Sequence, residues 1–385
     1  MSEYLFLFGR TPALSAQELA ACVSAQSVQR LTNEFAVVNF EDDAEAVKVF
    51  GRLGGSLKVL RLEQTTPETS EEALTALLAE YLSKVKKPTF ALAEIGRDAF
   101  PKLDVAEVKK ILKKQDISAR FIESSRGGLS AAVGLHQNVT ELYVIADDQQ
   151  TLIAKTLAVQ NIDEWTARDR FKPYANRKKG MLPPKVARMM VNLALATQPE
   201  MKFSDIRVYD PFCGTGTVLL EAATLGCRII GSDLDEEAVA GTKANISWLM
   251  QAQSQTITAK VIHGDAVQLQ VGALDGEVDV IVTEPFLGKT KPKTEQLPNI
   301  YKGLEKLYMG VFKRWTSILK DGGAVVIITP LTELPNKRFS LEKLIDKIRP
   351  LGYTPLSEPV VYARPQAVVQ RQIWTFRFTK QNTQK

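Results

Sequence analysis

Val208-Tyr209-Asp210-Pro211-Phe212-Cys213-Gly214-Thr215-Gly216-Thr217 is the stretch on which the fold turns. Its apolar start reads as a buried strand, and the two glycines break that strand into a turn opening a helix near Thr217. A strand, turn and helix in this order let a nucleotide approach the backbone, with the amides of the helix start facing its anionic group. The dinucleotide fingerprint places a third glycine three residues after the second, where this chain has Leu219, which disfavours nicotinamide and flavin cofactors. No Gly-Lys-Ser/Thr follows the turn, which disfavours a P-loop.

Around this stretch, strands and helices alternate as a doubly wound, mostly parallel sheet requires. Strands are expected at Arg207–Asp210, Arg228–Ser232, Ala259–His263, Val278–Thr283, Ala324–Pro330, Val360–Ala363 and Gln372–Phe378, the last two as an antiparallel hairpin. A helix at Lys185–Ala196 precedes them, since Pro183-Pro184 suits a first turn. Twenty-three residues past Asp210, Gly231-Ser232-Asp233 puts a carboxylate where a ribose diol is held, and Gly264-Asp265-Ala266 repeats the device one strand later. Independent helix caps seldom fall at three successive strand ends, so these acids point to one site. The ordered set resembles the S-adenosylmethionine site of class I methyltransferases. The cofactor implied is S-adenosyl-L-methionine, held by Asp210, Phe212, Gly214, Gly216, Thr217, Asp233 and Asp265. Asp210 would take its ammonium group, the turn and the helix at Thr217 its amino-acid part, Asp233 its ribose and Asp265 its adenine amine.

The fourth strand ends in Val282-Thr283-Glu284-Pro285-Phe286-Leu287-Gly288, beside the cofactor at the point where substrates enter such sheets. Methylating an exocyclic amine needs acceptors for its hydrogens and a flat wall for the base. Glu284 and the carbonyl of Pro285 suit the first task, and Phe286 suits the second, so these three residues form the candidate catalytic set. Methylating a pyrimidine carbon would need a thiolate nucleophile, and no cysteine lies near this strand.

At 385 residues the chain is long enough for two or three cores. Its 45% hydrophobic and 24% charged content is that of a globular protein, and no apolar run reaches membrane-spanning length. The start lacks a signal peptide, and Cys22, Cys213 and Cys227 lack disulfide or zinc spacing, so a cytoplasmic protein without a metal is expected. Net charge is only +5, but Arg168, Arg170, Lys172, Arg177, Lys178 and Lys179 crowd one segment with Phe171, Tyr174 and Asn176 among them, a pattern suited to nucleic acid. Lys289, Lys291 and Lys293 follow the fourth strand, and Lys109, Lys110, Lys113 and Lys114 line one helix.

The amino half reads as strand Tyr4–Phe8, helix Ser15–Ala21 with Ser15 as cap and Glu18 three residues later, two strands ending at Phe35–Phe40, helix Ala44–Leu53 and strand Ser56–Leu62. That order is ferredoxin-like. A polar link at 64–70 marks a boundary. Beyond it come helix Glu71–Lys84, strand Thr89–Ile95, helix Val105–Gln115, strands near Arg120–Glu123, Leu129–Leu135 and Glu141–Ala146, and a closing strand Thr151–Val159.

Residues 163–330 resemble the THUMP-domain tRNA guanine-N2 methyltransferases, the group that modifies guanosine at position ten of tRNA. Met181-Leu182-Pro183-Pro184-Lys185-Val186-Ala187-Arg188-Met189-Met190-Val191-Asn192-Leu193-Ala194, Asp210 to Thr217 and Gly231-Ser232-Asp233 carry the likeness, the first most specifically. The ferredoxin-like start and the run from Phe90 to Ile145 are similar to that family's amino-terminal and THUMP domains. The resemblance implies a ferredoxin-like domain over 1–65, a THUMP-like RNA-binding domain over 66–160, a basic linker over 161–180 and a Rossmann-like methyltransferase domain over 181–380. It also implies tRNA as partner, gripped by the amino-terminal domains and the linker. One departure stands out: the family's active-site tetrapeptide is Asp-Pro-Pro-Tyr, whereas Glu284-Pro285-Phe286-Leu287 has a longer acid, one proline fewer and the aromatic moved forward by one. The expectation is an S-adenosylmethionine-dependent tRNA methyltransferase acting in line on guanine N2. The alternatives are an adenine-N6 methyltransferase on DNA or RNA, and an RNA-binding protein that keeps the fold without turnover.

Overall fold

The computed structural model describes residues 1–381 apart from 24, 68–69, 97–102, 125–127, 131–138, 147–149, 177–180, 255 and 364–366. Most of the strand expected at 129–135, the charges Arg177, Lys178 and Lys179, and the tail beyond 381 lie outside the described residues. The chain forms two compact units. One comprises Met1–Pro12, Val23–Gly51 and Ser56–Asp163, and the other Ala13–Cys22, Arg52–Gly55 and Glu164–Lys385.

The first unit is built on β1 (Ser2–Phe8), β2 (Val28–Leu31), β3 (Phe35–Phe40), helix α2 (Asp43–Arg52) and β4 (Ser56–Thr66); helix α1 (Pro12–Cys22) intervenes after β1. Then come α3 (Glu71–Ser83), β5 (Thr89–Ile95), α4 (Val105–Lys114), β6 (Arg120–Phe121), β7 (Thr140–Ala146) and β8 (Thr151–Val159). Ser70 caps α3 by accepting from the Ala73 amide, and Asp104 caps α4 by accepting from Ala106 and Glu107. Helix α4 turns Val108 and Leu112 into the core, leaving its four lysines exposed. The described strands join in the order β2-β3-β1-β4-β8-β7-β5-β6. The first four carry the expected ferredoxin-like pairing, antiparallel throughout. The polar link expected at 64–70 is not a break in the sheet: β4 continues through Thr66 and pairs with β8 down to Thr66 opposite Thr151. Gln64, Thr65 and Thr66 read as loop from polarity alone, but β8 satisfies their backbone and buries Thr66.

The second unit begins, after α5 (Ile162–Thr166), with α6 (Pro184–Leu195). There follow β9 (Arg207–Asp210), α7 (Thr217–Thr224), β10 (Arg228–Asp233), α8 (Glu236–Gln253), β11 (Ala259–His263), β12 (Val278–Thr283), α9 (Leu297–Trp315), β13 (Leu319–Leu334), β14 (Lys337–Phe339), α10 (Glu342–Ile348), β15 (Tyr353–Pro355), β16 (Val360–Tyr362) and β17 (Gln370–Phe378). All the expected strands are present, and the expected hairpin is β16 against β17, with Val360 opposite Ile373. The sheet runs β11-β10-β9-β12-β13-β17-β15, parallel through β13 and antiparallel from β17, with β14 on β13 and β16 on β17. Alternate side chains leave opposite faces. Val208, Ile229, Val280 and Val282 pack with α6 and α7, while Tyr209, Ile230 and Ile281 pack with Tyr308, Phe312 and Trp315 of α9. Burial on both faces is why β12 is apolar almost without interruption.

Helix α1 corrects the amino-terminal reading. It starts at Pro12, so Ser15 is not a cap but an interior residue whose hydroxyl donates to the Gly55 carbonyl at 3.1 Å. Proline suits a helix start, and Glu18, expected to complete a capping box, instead works at long range. Its buried carboxyl accepts the amides of Gly54 and Gly55, each at 2.8 Å, and the Asn192 side-chain amide at 2.6 Å. Burial pushes it up to about 7 against the pull of those bonds. Glu18→Ala strands three buried donors, at roughly 1–3 kcal/mol each. We expect it to lower Tm by several degrees in thermal unfolding followed by circular dichroism; an unchanged Tm would remove Glu18 from this role.

Candidate active site

Strands β9 and β12 lie side by side, and the winding direction of the sheet reverses between them, which opens a crevice at their carboxyl ends. Asp210 closes β9 and is 2% exposed. Its Oδ1 accepts the Thr283 hydroxyl from the end of β12 at 2.6 Å and the Phe212 amide at 3.1 Å. Burial raises Asp210 to about 7; the two hydrogen bonds oppose that rise, and the charges of Asp233 and Glu284 add to it.

The glycine turn is held from both sides. Gly214 and Gly216 adopt φ of +53° and +74°, and a Cβ on Gly216 would lie 2.9 Å from Thr242 Cγ2. The Gly214 amide donates to Asp233 Oδ2 at 2.8 Å, and its carbonyl accepts the Thr242 hydroxyl at 2.9 Å. From α8, Asn245 donates to the carbonyls of Thr215 and Tyr174 and accepts the Tyr174 amide. Gly241 makes this approach possible, since a Cβ there would meet the Tyr174 ring at 2.1 Å.

The fourth strand delivers Glu284, Pro285 and Phe286 to the same crevice. Pro285 is buried, but Phe286 is 62% exposed and therefore not a core residue. Its backbone is braced by the buried Tyr308 hydroxyl, which donates to the Ile328 carbonyl at 3.1 Å and reaches that of Phe286 at 3.4 Å. Arg371 Nε donates to Glu284 Oε1 at 2.5 Å. Together these residues line a cavity of about 490 Å³, floored by Asp210, Phe212, Gly214, Thr217 and Asp233 and rimmed by Tyr174, Lys289, Lys291, Val368 and Arg371.

Eight of the ten sequence-predicted site residues thus share one cavity, and two do not. Gly216 sets the turn from behind as the left-handed residue before α7. Asp265 lies outside the lining, and its carboxylate accepts the Val267 amide at 2.9 Å, the turn-capping alternative for such a residue. Sequence reasoning missed Arg371, Asn245, Tyr174 as a wall and Tyr308. The signals for two of them were a charge near the start of a core strand and an amide on the buried side of a long helix.

The basic segment needs correction. Arg168 and Lys172 are 5% and 4% exposed, so they are not surface contacts for a nucleic acid. Arg168 and Arg188 both pair, at 2.7 Å, with the carboxylate of Glu221, which is buried on α7 and requires compensation. The Lys172 ammonium donates to the hydroxyls of Thr217 at 2.9 Å and Thr215 at 3.3 Å, and burial lowers it to about 8. Arg170 and Phe171 remain exposed.

Residues 175–349 match the UPF0020 family, described as an RMKL-like methyltransferase domain. The chain is 31% identical over 239 residues to the tRNA (guanine(10)-N2)-dimethyltransferase of Methanothermobacter thermautotrophicus, covering 59% of this chain and 64% of that one. It is 33% identical over 124 residues to the probable tRNA (guanine(10)-N2)-dimethyltransferase of Methanothermococcus thermolithotrophicus, covering 31% of this chain and 70% of that one. The chain belongs to the tRNA guanine-N2 methyltransferase family. It spans less than two thirds of the first of these relatives, and 58% of the corresponding Methanocaldococcus jannaschii protein. The crystal structure of TrmN from Thermus thermophilus superposes with a TM-score of 0.55 at 16% identity, covering 98% of this chain and all of that one, which establishes the shared fold.

Within this family's methyltransferase fold, the described residues fit S-adenosylmethionine. A buried acid at the β9 end suits an ammonium group. Asp233 retains lone pairs for a diol beyond those used by Gly214 and Asp235, and Gly214 shows an open face with nothing nearer its Cβ position than 3.9 Å. Because burial holds Asp210 at about 7, its ionised form grows as pH rises through neutrality. Affinity for the cationic cofactor, measured by calorimetry, should therefore increase from pH 6 to pH 8, and Asp210→Asn should weaken binding and flatten that dependence. A steep dependence surviving in Asp210→Asn would assign the titration elsewhere.

Proposed function

We propose that this protein methylates the exocyclic N2 amine of a guanine in tRNA, with S-adenosylmethionine as donor, in the cytoplasm where its three unpaired cysteines stay reduced. The supporting observation is that Glu284, Pro285 and the exposed Phe286 open into the same cavity as Asp210, the glycine turn and Asp233. The bound cofactor supplies a methyl group on an electrophilic sulfonium. Phe286 stacks on the extruded base, a contact of roughly 1–3 kcal/mol. The Glu284 carboxylate and the Pro285 carbonyl accept the amine's hydrogens, which turns its lone pair out of the ring plane toward the methyl group. As the amine becomes cationic on transfer, Glu284 is the carboxylate on that wall to which its proton passes. Lys289 and Lys291 on the rim suit the phosphates flanking the target nucleotide.

The curated relatives are named for position ten of tRNA, and the same position is proposed here. The amino-terminal unit is proposed to be the THUMP-like tRNA-binding part, with the exposed lysines of α4 as phosphate contacts. Incubating the full chain with bulk tRNA and labelled donor, then digesting to nucleosides, should place the label in N2-methylguanosine. Label in N6-methyladenosine, or none, would refute the proposal. Glu284→Ala should cut turnover at least about a hundredfold while leaving cofactor and tRNA affinities within about twofold.

A further inference from the structure

Arg371 is the second residue of β17, and its side chain is only 14% exposed. Its Nε is committed to Glu284 Oε1, and its guanidinium carbon stands 5.9 Å from the centre of the Tyr362 ring. Its two Nη groups have no hydrogen-bond partner among the described residues, and the side chain lines the cavity beside the catalytic tetrapeptide. Four of the five N–H donors of this guanidinium are thus open to the cavity, where an acceptor that arrives with the ligand can meet them. A phosphate is the poorer candidate, because the Glu284 carboxylate at 2.5 Å already neutralises the charge and repels a second anion, whereas Lys289 and Lys291 line the same cavity without an ion pair among the described residues.

We propose that Glu284 and Arg371 form one reading head, in which Glu284 receives the amine edge of the target base and the Nη groups of Arg371 donate to its carbonyl O6, selecting guanine. This rests on the function proposed above. Guanine presents along one edge an amine, a ring N–H and a carbonyl oxygen, so acceptors followed by donors match it. With the reacting amine held at Glu284, a base lacking the carbonyl leaves the Nη donors buried and unpaired, which is the strongest basis for rejecting a substrate. The pair also gives the longer acid a purpose: the added methylene of Glu284 brings its carboxylate within reach of an arginine on a strand two places away in the sheet. Arg371 is thus a specificity-determining residue that the tetrapeptide alone does not reveal.

The test compares tRNA transcripts carrying guanine or 2-aminopurine at the methylated position, since 2-aminopurine keeps the reacting amine but lacks O6 and the N1 proton, and the Arg371 variants separate the loss at O6 from the loss at N1. Wild-type protein should prefer guanine in kcat/KM by roughly 10- to 100-fold. Arg371→Met should drop the guanine value to about that of 2-aminopurine while changing the latter no more than about threefold, and Arg371→Lys should fall between. Equal wild-type values for the two bases would overturn the proposal, as would an Arg371→Met variant that keeps the guanine preference. Equal slowing on both bases would also overturn it and would assign Arg371 to orienting Glu284 or to a phosphate. The wild-type comparison needs no variant, so equal values for the two bases overturn the proposal even if Arg371→Met fails to fold. A wild-type protein that labels no guanine in tRNA would instead refute the underlying function, a distinct result.

Discussion

The hydroxyl of Thr283 bonded to the carboxyl of Asp210 ties together the two strand ends on which the site is built. One end carries the glycine turn and the other the Glu284-Pro285-Phe286-Leu287 stretch, so a shift at either is felt at both. The bond crosses the switch point where no backbone pairing continues, since the β9 and β12 register is recorded only at Val208 with Val280 and Tyr209 with Ile281. A fully buried carboxyl is a costly anchor, and its rise to about 7 reflects that cost. Its position is tolerable because a cationic ligand and two hydrogen bonds are available to stabilise the charge.

Charge buried inside the catalytic unit governs its shape more than charge on its surface does. Glu221 holds Arg168 and Arg188 across α7, and Trp165 lies with its ring centre 4.5 Å from Arg168 and 5.4 Å from Arg188. Lys172 fastens the chain before α6 to the two threonines of the turn. A run of basic residues in a sequence reads naturally as an anion-binding surface, yet here the partner acid sits about fifty residues downstream and supplies the missing half.

Legibility followed the range of the interactions. Strands of the methyltransferase sheet were readable because burial on both faces leaves an apolar run, and the turn was readable because its glycines and flanking acids are neighbours in sequence. The ferredoxin-like order was likewise visible as alternating short segments. What was not readable depends on pairing across long separations: the continuation of β4 along β8, the role of Glu18 against Gly54, Gly55 and Asn192, and the grip of Arg371 on Glu284. Asp265 accepts the Val267 amide, a local contact that the order of the motifs does not reveal.

The catalytic unit draws Ala13–Cys22 and Arg52–Gly55 from the far end of the polypeptide. Two short pieces of early sequence are therefore interleaved with everything after residue 164, and the backbone crosses between the units repeatedly instead of once. A ribosome finishes the amino-terminal stretch long before Asn192 emerges, so the Glu18 carboxyl must wait, folded or not, for the donor it accepts.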